Sequence, residues 1–183
     1  MEQNIRKSGI AAEAFYWAQA LVYALVVLVL INVFLLRISV VNGSSMLPTL
    51  TGGDLVLVRV FDYPVPEKGD VIVVNDTGLL NEALVKRVIG LAGDVIDIDR
   101  STGTVYVNGE PLDEPYINER IRDFSNNVEY PYTVPEDRVF VMGDNRNAST
   151  DSRASYVGAL LYDQVVGKVL FRFWPLSEIG RIQ

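Results

Sequence analysis

From Ala14 to Leu36 the chain runs about 23 residues without a charged side chain, and an apolar stretch of roughly 20 is what a helix needs to cross a bilayer. The rest of the chain must therefore fold while tied to one membrane-crossing helix. Gln19 and Asn32 interrupt the run, and Phe15, Tyr16 and Trp17 stand where an interfacial aromatic belt would. A cleavable export signal is the competing reading, but its apolar region spans about 7–15 residues and closes on small side chains. This run is longer and ends Phe34-Leu35-Leu36-Arg37, which favours a retained anchor. Arg6 and Lys7 precede the span and only Arg37 follows it closely. The positive-inside rule then puts residues 1–13 in the cytoplasm, the span at 14–36 in the plasma membrane, and residues 37–183 outside.

Residues 37–183 suit one domain with a sizeable core. The net charge of −7 comes with no run of Lys or Arg, which argues against a nucleic-acid partner, whose phosphates require clustered positive charge. The 183 residues contain no histidine and no cysteine. Composition alone thus excludes a Ser-His-Asp triad, a Cys-His pair, disulfides and His- or Cys-ligated zinc. What survives is serine activated by lysine, or carboxylate chemistry.

Beyond the span the apolar pattern is that of short strands. They are expected near residues 54–60, 71–74, 83–89, 95–98, 104–107, 139–142 and 164–173. Gly-Asp pairs at 53–54, 69–70, 93–94 and 143–144 punctuate them, and Asn108-Gly109 is a type I′ hairpin signal. With no long amphipathic helix between them, these runs predict a mainly β, antiparallel domain. The more polar segment 110–137, with four prolines, reads as an irregular excursion from that core.

Three places carry candidate chemistry. The Gly/Pro-punctuated turn Val41-Asn42-Gly43-Ser44-Ser45-Met46-Leu47-Pro48-Thr49-Leu50 puts adjacent serines just after the span. Nine residues extended from Leu36 reach only about 30 Å, so Ser45 lies close to the membrane surface. The run Ala83-Leu84-Val85-Lys86-Arg87-Val88-Ile89 holds a lysine that shares a strand face with Leu84 and Val88. Burial there would disfavour the ammonium and leave an amine able to accept a serine proton. Each has an ordinary alternative, a turn hydroxyl for the serine and a side chain snorkelling to solvent for the lysine. The third place, Gly143 to Arg153, is a polar loop whose simplest account is Asx turns with local ion pairs. Phe61, Tyr63 and Pro64 form an apolar turn that suits lipid headgroups as well as an ordinary surface.

Taken together and in order, these segments resemble the bacterial type I signal peptidases, or leader peptidases, in their single-span form. The resemblance rests on Ser45-Met46-Leu47-Pro48, Gly53-Asp54-Leu55-Val56, Lys86-Arg87-Val88-Ile89-Gly90 and Gly143-Asp144-Asn145-Arg146 with Asp151-Ser152-Arg153. It implies Ser45 as nucleophile and Lys86 as general base, with Ser149 orienting the amine. It further implies an Asp151–Arg153 ion pair, structural roles for Asp144 and Arg146, and substrate contacts from Met46 and Pro48. The backbone N–H of Ser45 would hold the oxyanion. Gly43 stands where some members carry a side-chain donor for it, Ala92 where proline is common, and Ala148 where asparagine is common. The implied reaction is removal of signal peptides from exported preproteins after Ala-x-Ala-type sites, with no cofactor and no metal; the secretion machinery is a further candidate partner. A Ser/Lys autoprotease and a non-catalytic, membrane-anchored β domain that binds secretion partners are the alternatives. The lack of a DNA-binding module weighs against the first, and the presence of both Ser45 and Lys86 against the second.

Overall fold

The computed structural model describes residues 2–63, 65–75, 83–124 and 128–182. Pro64 and the side chains of Arg6, Lys7 and Asn32, each used in the sequence reading, lie outside the described residues. The chain divides into two compact units, Met1–Leu36 and Arg37–Gln183.

The first unit is helix α1, Glu2–Phe34. Within it Ala12–Ile31 is long and apolar enough to cross a membrane, and none of it is buried inside the protein. Phe15, Trp17, Leu21, Val26 and Leu28 are all exposed, as lipid-facing side chains must be and those of a core helix are not. Gln19 donates to the Tyr23 hydroxyl at 2.8 Å, so a polar group one turn into the span is satisfied within the helix. The span expected over 14–36 falls within this helix except for its last two residues. The helix starts before it, and its last turn closes with Leu35 N–H donating to Ile31 C=O. Leu36 already belongs to strand β1, Leu36–Val40. Apolar character continues through this junction, which hides the change from helical to alternating periodicity.

In the second unit the strands are β2 Leu55–Arg59, β3 Val71–Asn75, β4 Ala83–Leu91, β5 Val95–Asp99, β6 Thr104–Val107 and β7 Glu110–Pro111. They continue with β8 Tyr132–Thr133, β9 Arg138–Met142, β10 Leu160–Leu161, β11 Val165–Trp174 and β12 Gly180–Arg181. One sheet has the order β1-β2-β11-β3-β4-β9-β10 with β12 added to β11, and a second has the order β7-β6-β5-β8. Their registered pairs are antiparallel, and the seven expected strands are present within a residue or two of their predicted limits. The excursion 110–137 is more than a departure from the core. It supplies β7 and β8 and buries Ile121 and Val134 among Ile96, Val105 and Phe140.

The continuous apolar runs follow from a sheet covered on both faces. Along β3, Val71 and Val73 pack with Val56, Val58, Val85 and Val169, while Ile72 and Val74 pack with Val88, Val139 and Val141. On β9, Phe140 and Met142 turn instead toward the second sheet.

Three connections repeat one local solution. In Thr51–Asp54, Glu67–Asp70 and Leu91–Asp94 a glycine in the third place takes a positive φ, between 85° and 98°, and the aspartate N–H donates to the first residue's carbonyl. The aspartate carboxylate then accepts the first residue's N–H at 2.8 to 3.1 Å. Each turn is closed twice from within, which explains the recurring Gly-Asp pair. Asn108 and Gly109, with φ of 55° and 83°, make the type I′ turn between β6 and β7. Asp94 also accepts from Asn108 and Lys68. Replacing it with alanine should lower stability by about 1–2 kcal/mol, read as a Tm drop of roughly 3–6 °C; an unchanged Tm would contradict this account of the turns.

Candidate active site

The turn that carries the adjacent serines is closed at its base by Val41 N–H to Asp54 C=O and Gly53 N–H to Val41 C=O, both at 2.9 Å. Met46 and Leu50 fix it from inside, at 2% and 0% exposure in the cluster that holds Val56, Val73 and Val85. From the β11 side, Arg172 reaches the Thr49 carbonyl at 3.2 Å and the Asp54 carboxylate at 3.0 Å. Ser44 is left exposed and Ser45 half-buried, while Pro48 is exposed.

Lys86 lies in β4 opposite Ile72 of β3. It is only 2% exposed, and its neighbours along the strand, Leu84 and Val88, pack into the third apolar cluster. Its Nζ donates to Ser45 Oγ at 2.7 Å and to the Val85 carbonyl at 3.0 Å. Burial pulls the amine down to about 8, with Arg153 acting in the same direction and the carboxylates of Asp151 and Asp144 against it. The structure therefore joins Ser45 rather than Ser44 to Lys86. It leaves the lysine poorly solvated, so that the snorkelling alternative does not hold.

The polar loop after β9 is built on ion pairs. Asp151 receives Arg153 Nε and Nη2, each at 2.8 Å, and the Gly143 N–H at 2.9 Å. Burial alone would raise this carboxyl, but Arg153 and the Gly143 N–H together hold it below the ordinary carboxylate range. Asp144, fully buried, accepts from Arg87 Nε and Nη2 at 2.8 Å and from Thr49 Oγ1 at 2.5 Å. Arg146 pairs with Glu114 at 2.5 Å. The Tyr116 ring is stacked under Arg87, 3.9 Å from the guanidinium carbon to the ring centroid, with Arg146 at 5.9 Å. Gly143 has no room for a Cβ, which would collide with the Ser149 side chain and the Ser45 carbonyl.

Ser149 departs from the expected contact. Its Oγ is buried beside Gly143 and faces the Asp151 carboxylate, but it closes no well-formed hydrogen bond, either there or to the Lys86 amine. Val85 C=O and Ser45 Oγ are the two partners the amine has taken instead. Glu114, Tyr116, Thr49 and Arg87 are parts of the site that sequence reasoning did not single out. Glu114 and Tyr116 sit in the excursion 110–137, where only their proximity to Pro115 is legible. Arg87 stands in the Lys86 motif without a sequence signal for its own partner, because Asp144 is 57 positions away. Among the described residues no group of acidic side chains is arranged to hold a metal ion.

An antiparallel β domain that follows an apolar helix, with a serine hydroxyl bonded to a buried amine, defines a class of membrane-anchored serine peptidases. Residues 14–174 match the family model described as signal peptidase, peptidase S26; the chain belongs to this family, as a bacterial type I signal peptidase. Signal peptidase IB of Staphylococcus aureus (strain Mu50 / ATCC 700699) is 37% identical over 182 residues, covering 91% of this chain and 92% of the relative. A probable signal peptidase I-2 of Synechocystis sp. is 36% identical over 170 residues, 88% of this chain and 74% of the relative. A crystal structure of a signal peptidase I from Enterococcus faecalis V583 covers 57% of this chain and 96% of its own, with 32% identity and a TM-score of 0.48.

The depressed Lys86 pKa is also a statement about stability. Between about pH 8 and the ordinary lysine value of about 10.4 the unfolded chain binds a proton that the folded chain does not, so folding strengthens as pH rises through that window. Below it the penalty is complete, about 3 kcal/mol at 1.36 per unit. Lys86→Met, which has no charge to desolvate, should therefore be more stable than the wild type by about that amount at pH 7, the advantage fading by about pH 10.5. Denaturant titrations at the two pH values measure it; equal stability of the two proteins at pH 7 would sink this account.

Proposed function

We propose that Ser45 and Lys86 act as a nucleophile–base dyad that removes signal peptides from exported preproteins. The observation that carries this reading is the 2.7 Å contact between Ser45 Oγ and the buried Lys86 Nζ. With the amine neutral, the hydroxyl becomes the donor in that contact, and Lys86 takes its proton as Oγ attacks the scissile carbonyl. The Ser45 backbone N–H stabilises the oxyanion. Lys86 then protonates the departing amine, and water, deprotonated by the same amine, hydrolyses the acyl-enzyme. Asp151–Arg153 and Asp144–Arg87 act as scaffolding, and the Val85 carbonyl holds the lysine amine in place. No step needs a metal or an organic cofactor.

Substrate selection after small residues is supported by a groove of about 170 Å³ lined by Ile38, Ser39, Val58, Val73, Ala83 and Val166, among others. Ala83 lies three residues before Lys86 on β4, about 10 Å along an extended backbone. An extended substrate beside this strand would present alternate side chains to the dyad and to the groove. Met46, although buried, directly follows Ser45 and lies under the same region, while Pro48 stays on the surface of the turn.

Ser45→Ala should abolish cleavage of a purified preprotein, followed by mass measurement of the products, while Ser44→Ala should retain most of it. The acidic limb of kcat/KM should have its midpoint near pH 8 rather than near the carboxylate range of about 4. Lys86→Arg, whose pKa is above about 12, should be as inactive as Lys86→Met. Rapid cleavage by either lysine variant would overturn the dyad.

The orientation proposed from Arg6, Lys7 and Arg37 places the β domain outside the plasma membrane and the N-terminus in the cytoplasm. Protease added to spheroplasts should then digest residues beyond Arg37 and spare an N-terminal tag. Protection of the β domain would reverse the topology.

A further inference from the structure

One residue of the polar loop brackets the nucleophile. The Asn145 backbone N–H donates to the Ser45 carbonyl at 2.9 Å, and Asn145 Nδ2 donates to the Ser44 carbonyl at 3.0 Å across 101 positions of sequence. Facing a carbonyl oxygen, only the nitrogen end of the side-chain amide can make that bond, which fixes its orientation. The Ser44 carbonyl also accepts the Leu47 N–H, at a longer 3.2 Å, within the turn.

The Ser44 C=O and the Ser45 N–H belong to one planar trans peptide unit and point to opposite sides of it. A side chain that holds the oxygen therefore sets the direction of the N–H. Among the described residues that N–H has no acceptor in the chain. Gly43 has no side-chain donor to share its task, its φ is +79°, and the space where a Cβ would stand is open. We propose that the Asn145 side chain is a positioning residue for oxyanion stabilisation, acting through the Ser44–Ser45 peptide. It locks the plane whose N–H meets the oxyanion, and by bonding the carbonyl it polarises that peptide and strengthens the N–H as a donor. This inference rests on the reading of Ser45 as nucleophile.

The test uses the full membrane-anchored chain in detergent, with a peptide substrate carrying an Ala-x-Ala site. Its companion probe is a peptide aldehyde ending in alaninal, which forms a tetrahedral adduct with a serine hydroxyl. Removing a direct oxyanion donor costs about 10²–10³ in rate, so loss of a group that only aims one should cost about tenfold. Asn145→Ala keeps the backbone bond to Ser45 and should lower kcat about tenfold. KM should stay within about twofold and the acidic limb near pH 8. Affinity for the aldehyde should fall by the same factor as kcat/KM, because both report the oxyanion site. Asn145→Asp, alike in shape but without the donor, should lose at least as much, which guards against a merely misfolded alanine variant.

A wild-type kcat in Asn145→Ala overturns the inference. So does a loss that comes with a displaced pH limb, or one that leaves aldehyde affinity untouched, since either places the effect elsewhere. If Ser45→Ala is inactive while Asn145→Ala is fully active, only this inference fails. If Ser45→Ala still cleaves, the dyad itself is wrong.

Discussion

A single carboxylate holds in register the three segments that meet at the Ser45–Lys86 contact. Asp144 stands on the loop after β9, Arg87 is the strand neighbour of Lys86, and Thr49 closes the turn that starts with Ser45. Their three hydrogen bonds meet on Asp144, out of contact with water. Breaking a buried pair by removing one partner costs about 3–5 kcal/mol, because the other charge is left without compensation. The same pair adds little net stability over an apolar replacement, so its effect here is geometric. It fixes where the turn sits against the strand, and the 2.7 Å contact between Ser45 and Lys86 follows from that alignment. Glu114 and Tyr116 extend the arrangement into the segment between β7 and β8 through Arg146 and Arg87.

The ion pairs also explain why an amine amid charges behaves as though it were amid hydrocarbon. Asp144 and Asp151 both favour the ammonium form of Lys86, yet each is tied to a guanidinium, and that of Arg153 pushes the other way. With the charged neighbours largely offsetting one another, desolvation remains the dominant influence. Apolar packing by the strands around β4 thus lowers the pKa of the Lys86 amine.

Much of this is legible in the sequence. Absence of histidine and cysteine leaves few ways to activate a serine, and the apolar runs with Gly-Asp punctuation predict the strands. What escaped depends on contacts distant in sequence. The Arg87–Asp144 bond joins residues 57 apart, and the Asn145 contact spans 101; neither leaves a local periodicity. β1 was hidden because its alternation continues an apolar run, and the excursion 110–137 because its prolines and charges mask the few buried side chains that anchor it. For Ser149 the departure is one of partner rather than position: it lies in the expected neighbourhood, but the amine's bonds go to Val85 and Ser45.

The three buried ion pairs Arg87–Asp144, Arg153–Asp151 and Arg146–Glu114 have a thermal consequence. Hydration of charged groups becomes less favourable on warming, so the penalty for burying them shrinks, whereas stabilisation per unit of apolar area levels off. The loop after β9 and the turn it braces should accordingly keep their mutual alignment closer to the melting temperature than regions held by hydrocarbon contacts alone. Heating would then fray the margins of the sheets before it loosens the contact between Ser45 and Lys86.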